Sequence, residues 1–186
     1  MKRRGAGTLT RADIGSTVKL QAWVARRRDH GGVLFLDLRD RSGVAQVVAR
    51  PEAAQAFAAL DPVRAEWVVE VEGEVVARTA DQVNPKMTTG EVELVASRAA
   101  VLSKCDSLPF PIDSRVDVTE DTRLKYRYLD LRRPELQQKM LLRDRITHEV
   151  RRYFHEQGFI DVETPILTRS TPEGCLLYTS PSPRDS

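Results

Sequence analysis

Two cysteines in 186 residues, Cys105 and Cys175, are too few and too far apart for a disulfide framework, and neither has histidine companions at the spacing of a zinc site. That scarcity fits a reducing cytoplasm, the compartment expected for this chain. Long apolar runs are missing too. MKRRGAGTLT places basic residues at the N-terminus with no hydrophobic stretch behind them, and no later segment reaches membrane-spanning length, so the chain reads as soluble and not exported. Nor is there an excess of one charge. Lys+Arg number 29 against 27 Asp+Glu, so any attraction to nucleic acid has to come from local clusters and not from bulk charge. What is present is enough apolar residue, 41 %, for a packed core, in a length that suits one ordinary domain or one small domain and part of another.

The densest local signal is Trp23 to Val48, WVARRRDHGGVLFLDLRDRSGVAQVV, with a triple arginine, a Gly-Gly break and an alternating strand. Leu34, Leu36 and Leu38 share one face of that strand, which leaves Val33, Phe35, Asp37 and Arg39 on the other. Two readings of Phe35 are open. An aromatic set outward among Arg26, Arg27 and Arg28 can stack an unpaired base while the arginines hold its phosphates. A sheet covered on both sides would instead make Phe35 core, the usual fate of a strand phenylalanine.

Upstream, Thr17 to Arg26 alternates with Val18, Leu20, Ala22 and Val24 on one face, and the turn Asp29 to Gly32 joins it to the strand around Phe35. Asp40 to Gly43 leads to a third strand, Val44 to Val48. Pro51 opens a helix to Leu60, with Phe57 and Leu60 on one side. A fourth strand, Trp67 to Ala77, a polar loop, Thr79 to Gly90, and a fifth strand, Glu91 to Ser97, complete the set. Three strands, a helix and two strands is the order of an OB-fold, a five-stranded Greek-key barrel that binds oligonucleotides across its second and third strands. Phe35 and Gln46 lie there.

Beyond Ser103 the pattern becomes irregular, with Pro109 and Pro111, and reads as a hinge. Thr119 with Glu120 and Asp121 starts a helix carrying Leu124, Tyr128 and Leu131 at helical spacing. Pro134 opens a longer one with an apolar stripe of Leu142, Ile146, Val150, Tyr153 and Phe154, stopped by Gly158 at the C′ position. A strand, Phe159 to Glu163, follows. One long helix and one strand cannot close a core, so this second domain is either incomplete or completed by a partner.

RLKYRYLDLRRPELQ (Arg123 to Gln137) and GFIDVETPILTRSTPEG (Gly158 to Gly174), downstream of RRRDHGGVLFLDLRDRSGVAQVV, closely resemble bacterial aspartyl-tRNA synthetases of class II. The resemblance runs from about Gly5 to Gly174. It implies an OB-fold anticodon-binding domain over residues 1–104, a hinge over 105–133, and the start of an α+β class II catalytic domain over 134–174. GFIDVETP looks like motif 1, whose helix and strand form the dimer interface and end at a proline, here with Gly158, Phe159 and Pro165 at the matching positions. By resemblance, Phe35 stacks on the middle base of a GUC anticodon, Gln46 and Glu93 bond flanking bases, Arg28 and Arg78 contact backbone or bases, and Glu173 meets the amino group of aspartate. His30 and Asp81 match positions that separate strict enzymes from relaxed ones. His30 followed by Gly31-Gly32 is similar to the relaxed group, which charges tRNA(Asn) as well as tRNA(Asp); Asp81 fits less well, since relaxed relatives often carry a small residue there.

The resemblance further implies ATP and Mg²⁺ as requirements of the whole enzyme, a homodimer, and no resident metal in this chain. It breaks off after Gly174, where relatives continue into motifs 2 and 3. CLLYTSPSPRDS follows instead. Cys175 to Ser180 equals the translation of TGTCTCTTATACACATCT, which resembles a transposon end used in library preparation, so residues 175–186 are expected to be adapter-derived and the chain to be a catalytically inactive fragment. The alternative is a free-standing OB-fold tRNA-binding or regulatory protein, for which RYLDLRRPELQ and STPEG would have no use.

Overall fold

The computed structural model describes residues 3–112 and 116–166. By internal contacts the chain divides into two compact units, Met1–Pro109 and Phe110–Ser186.

The first unit is a closed barrel in the order β1-β2-β3-β5-β4, built from β1 (Thr17–His30), β2 (Val33–Asp40), β3 (Gly43–Ala49), β4 (Val68–Ala77) and β5 (Val92–Ser103), with α1 (Ala54–Leu60) between β3 and β4. All pairings are antiparallel except β3 with β5, which closes the barrel in parallel through Val47↔Leu94 and Val48↔Val95. This is the OB-fold expected from the strand order. Alternation explains the interior. Val18, Leu20, Ala22 and Val24, then Leu34, Leu36 and Leu38, then Val69, Val71 and Val75 all point into one core. Leu60 and Ala56 of α1 are fully buried, and Gln55 fixes α1 to β5 by donating to the Ala99 carbonyl at 2.8 Å and accepting the Ala99 N–H at 3.1 Å.

Three features were not visible in the pattern. β1 continues past Arg26 to His30, so the turn is Gly31-Gly32 alone, both with positive φ (62° and 86°) that glycine adopts without strain. β5 runs to Ser103, six residues beyond Ser97. Two 3-10 turns, Ala6–Thr8 and Arg11–Asp13, precede the barrel and bury Ala6 and Leu9 in its core.

In the second unit, α2 (Glu120–Lys125) and α3 (Arg127–Asp130) precede α4 (Pro134–Glu156). The Leu124, Tyr128, Leu131 stripe does not hold. The backbone leaves the helical region at Tyr126 (φ −112°, ψ 45°), so the phase shifts, Leu124 and Tyr128 stay exposed, and Leu129 and Asp130 are buried. Asp130 is compensated by Arg123 Nε at 3.0 Å and Arg127 Nη1 at 2.7 Å.

α4 begins at Pro134, as proline at the first helical position favours, and ends in a Schellman motif. Gly158 takes φ 84°, its N–H bonds the His155 carbonyl, the Phe159 N–H bonds the Phe154 carbonyl at 3.0 Å, and the two phenylalanine rings meet edge to face at 5.5 Å. The strand expected over Phe159 to Glu163 is absent. A strand needs a ladder partner, and none exists among the described residues of this unit. No helix among the described residues is long and apolar enough to cross a membrane.

Candidate nucleic-acid interface

β1 carries a β-bulge between Val24 and Arg26. Val18 to Val24 put even-numbered side chains inward, so an uninterrupted strand would send Arg26, Arg28 and His30 inward as well. The bulge sets Ala25 and Arg26 together against Asp37 and reverses the phase. From there Arg26 pairs with Asp37, Arg28 with Phe35 and His30 with Val33, which places Arg26, Arg28 and His30 on the outer face with Phe35. Arg27 falls on the opposite side and pairs with Asp61 beyond α1 at 2.8 Å. The triple arginine is therefore split, and only two of its members belong to the Phe35 face.

Phe35 is half-buried: its outward placement holds, and the fully buried alternative does not. The His30 ring meets it edge to face, with centroids 5.6 Å apart. β3 brings Gln46 opposite Asp37 and Val48 opposite Phe35. Because β5 runs parallel to β3, Glu93 lands beside Gln46, whose Nε2 donates to Glu93 Oε2 at 3.1 Å. Arg78, just past β4, reaches the same carboxylate, with Nε 3.7 Å from Glu93 Oε2 and donating to the Val92 carbonyl at 3.1 Å. Arg28 Nη2 donates to Asp37 Oδ1 at 2.6 Å. Five residues expected in one site from resemblance thus share one barrel face: Arg28, Phe35, Gln46 and Glu93 on four different strands, and Arg78 in the segment just past β4.

Arg78 is the unusual member. Its side chain is only 3 % exposed, and its Nη2 is buried with no hydrogen-bond partner among the described residues. Burial pushes its pKa down and Arg28 adds to that, while Glu93 and Asp37 push it back up. A buried guanidinium N–H with nothing to donate to is costly and rare, and a ligand acceptor would satisfy it. Outward-facing carboxylates and an amide beside it offer both acceptors and donors to base edges.

Asp81 lies in the β4–β5 loop with its carboxylate bonded to Thr79, which lowers its pKa; it makes no bond to the Phe35 face. Gly158 and Phe159 occupy the α4 terminus already described, and Pro165 lies exposed in the segment after it. Glu173 and residues 175–186 fall outside the described residues. Alternation put Asp37 on this face, but the sequence did not single it out as a site residue. Its bond to Arg28 and its register with Gln46 become visible only across strands. No group of three or more His, Cys, Asp or Glu among the described residues could hold a metal ion.

Comparison with known proteins agrees with this division. Residues 18–102 match the family described as OB-fold nucleic acid binding domain, and residues 119–185 match tRNA synthetases class II (D, K and N). Among solved structures, the aspartyl-tRNA synthetase of Entamoeba histolytica superposes with a TM-score of 0.79 at 24 % identity, over 89 % of this chain and 40 % of that one. The asparaginyl-tRNA synthetase of Pyrococcus horikoshii, complexed with asparaginyl-adenylate, gives 0.76 at 22 %, over 89 % and 37 %. At these identities the likeness is one of fold, and the chain spans about two fifths of the length of the proteins it matches.

Proposed function

We propose that the barrel binds the anticodon loop of a tRNA and that the second unit is the start of a class II catalytic domain that ligates aspartate to that tRNA. The observation that carries this is the Phe35 face. A half-buried, outward-facing aromatic sits within a set of base-edge donors and acceptors, and beside it Arg78 offers a buried donor unsatisfied among the described residues. Stacking supplies affinity there, while Gln46, Glu93 and Arg78 supply discrimination between bases. The match of residues 119–185 to class II synthetases of the D, K and N type favours this reading over a free-standing OB-fold protein. Aspartate is favoured over asparagine or lysine by the STPEG string alone.

Formation of an adenylate uses ATP and Mg²⁺. No step of that chemistry is assigned to this chain, and, on the resemblance to class II enzymes, the chain alone is expected to be silent in aspartate-dependent pyrophosphate exchange. Two copies joined through α4 and the segment from Gly158 and Phe159 to Pro165 would form the dimer. tRNA(Asp) is the expected substrate, and tRNA(Asn) joins it if His30 and its flexible Gly31-Gly32 turn tolerate both bases at the last anticodon position.

The test is binding of RNA hairpins to the 186-residue chain. A hairpin with GUC in its loop should bind more tightly than one with the same stem and all three bases changed. Equal binding of the two would remove the anticodon reading.

A further inference from the structure

Asp37 lies on the Phe35 face between Arg28 and Gln46, though resemblance does not point to it as a site residue. It stands two positions from Phe35 on the same side of β2 and in register with Gln46 on β3. Its Oδ1 accepts the Arg28 guanidinium at 2.6 Å, and its side chain is 17 % exposed. Its other oxygen takes no protein hydrogen bond among the described residues. Across the same face Glu93 faces Arg78.

Like charges on one face repel: Arg28 acts to push the Arg78 pKa down, while Glu93 and Asp37 act to push it back up. Two carboxylates, one for each, bring Arg28, Asp37, Arg78 and Glu93 to a combined charge of zero. That balance matters for nucleic acid. A free arginine is drawn to any phosphate and gives affinity without sequence information. An arginine held along a strand by a carboxylate keeps its remaining N–H groups in a fixed place and has little net charge to offer a phosphate.

We propose that Asp37 is a positioning residue for base reading, holding Arg28 as an oriented donor toward the RNA bases and withholding it from the phosphates. The proposal rests on the anticodon reading above. Removing Asp37 then has two opposed effects. Arg28 loses its orientation, which weakens discrimination, and the face gains a positive charge, which strengthens binding to any RNA. A merely structural Asp37 would weaken all RNAs alike.

The experiment titrates the full 186-residue chain with the GUC hairpin and the changed-loop hairpin across a series of KCl concentrations, following fluorescence anisotropy. For Asp37→Ala the preference for GUC is expected to fall about tenfold, in the range for loss of one good base contact. The changed-loop hairpin should bind more tightly, and the slope of log K against log salt should steepen by about 0.7, the value for one further phosphate neutralised on a single strand. Asp37→Asn, nearly isosteric and able to accept from Arg28 without charge, should steepen the slope while keeping part of the preference. Arg28→Ala added to Asp37→Ala should return the slope to that of the unsubstituted chain. An unchanged slope in Asp37→Asn, or equal weakening of both hairpins in Asp37→Ala, overturns the proposal. If Asp37→Ala fails to fold by circular dichroism, Asp37→Asn decides alone. No preference for GUC in the unsubstituted chain would sink the anticodon reading itself, whereas a clear preference left untouched by both substitutions sinks only the role of Asp37.

Discussion

Phe35 decides whether the barrel is a binding module, because its two readings predict different losses. As a stacking platform, Phe35→Ala should weaken the GUC hairpin by about 1–3 kcal/mol, the range for one base–aromatic contact, and leave the melting transition nearly in place. Were it core, the loss would be in stability, on the order of 3–5 kcal/mol. Measuring binding and thermal unfolding of the same variant separates the two. The alternation of Leu34, Leu36 and Leu38 put this residue on the face opposite the core, since a strand's period admits only two faces, but left open whether that face was covered. The residues it works with were less legible. Uninterrupted alternation along β1 would send Arg28 inward, and the bulge that brings it beside Phe35 leaves no mark in a run of arginines. Arg78 reads as one more surface cation until its burial against Val92 and Glu93 is seen.

At the scale of elements, the barrel was legible because each strand buries one face against the others of the same chain. The segments beyond it lacked that constraint. The Leu124 stripe failed where Tyr126 breaks the helix, and Phe159 to Glu163 has no strand to pair with among the described residues. The N-terminal turns were illegible for another reason: they are held by side chains distant in sequence. Asp40 Oδ2 accepts the Ala6 N–H at 2.8 Å, its Oδ1 accepts the Ser42 N–H at 2.7 Å, and Ser42 Oγ accepts the Gly7 N–H at 2.9 Å.

Burial acts to raise the pKa of Asp40, but the bonds from Ser42 and from the Ala6, Ser42 and Gly43 N–H groups outweigh it, so the group ends below its ordinary value of 3.8. A carboxylate with a depressed folded value contributes stability that is full above the unfolded value and lost as pH falls through the folded one. The N-terminal clasp is therefore expected to loosen only below about pH 4. Amide exchange at Ala6 should accelerate there, and Asp40→Asn should abolish that acid dependence. A protection factor at Ala6 that is flat down to acid unfolding would refute this. Gly7 adds a steric condition: a Cβ there would lie 2.1 Å from the Ser42 carbonyl oxygen. Gly7→Ala should thus displace the clasp and lower stability by about 1–3 kcal/mol, as overpacking typically does, visible as a lower denaturant midpoint.

The two units differ in how they meet water, and this sets the behaviour of the whole molecule. Met1–Pro109 has a closed barrel and a continuous core. Expressed alone, it should fold cooperatively and stay monomeric. The second unit exposes Leu142, Ile146, Val150, Tyr153 and Phe154 along one side of α4, with Phe159 and Ile160 beside its end, and Ile146 is 55 % exposed. An apolar stripe of that length on a helix is stabilised when something covers it. In the 186-residue chain another copy is the surface always at hand. The full chain should therefore sediment as a concentration-dependent dimer or larger species while the barrel alone does not. Ile146→Asp with Phe154→Asp should return it to a monomer, because two buried carboxylates without partners would oppose the contact. GUC-hairpin affinity per chain should be unaffected by that double substitution, since the reading face belongs wholly to the barrel. A full chain that remains monomeric at its solubility limit would count against α4 as a pairing surface, and a loss of RNA binding in the double variant would count against the barrel as a self-sufficient reader.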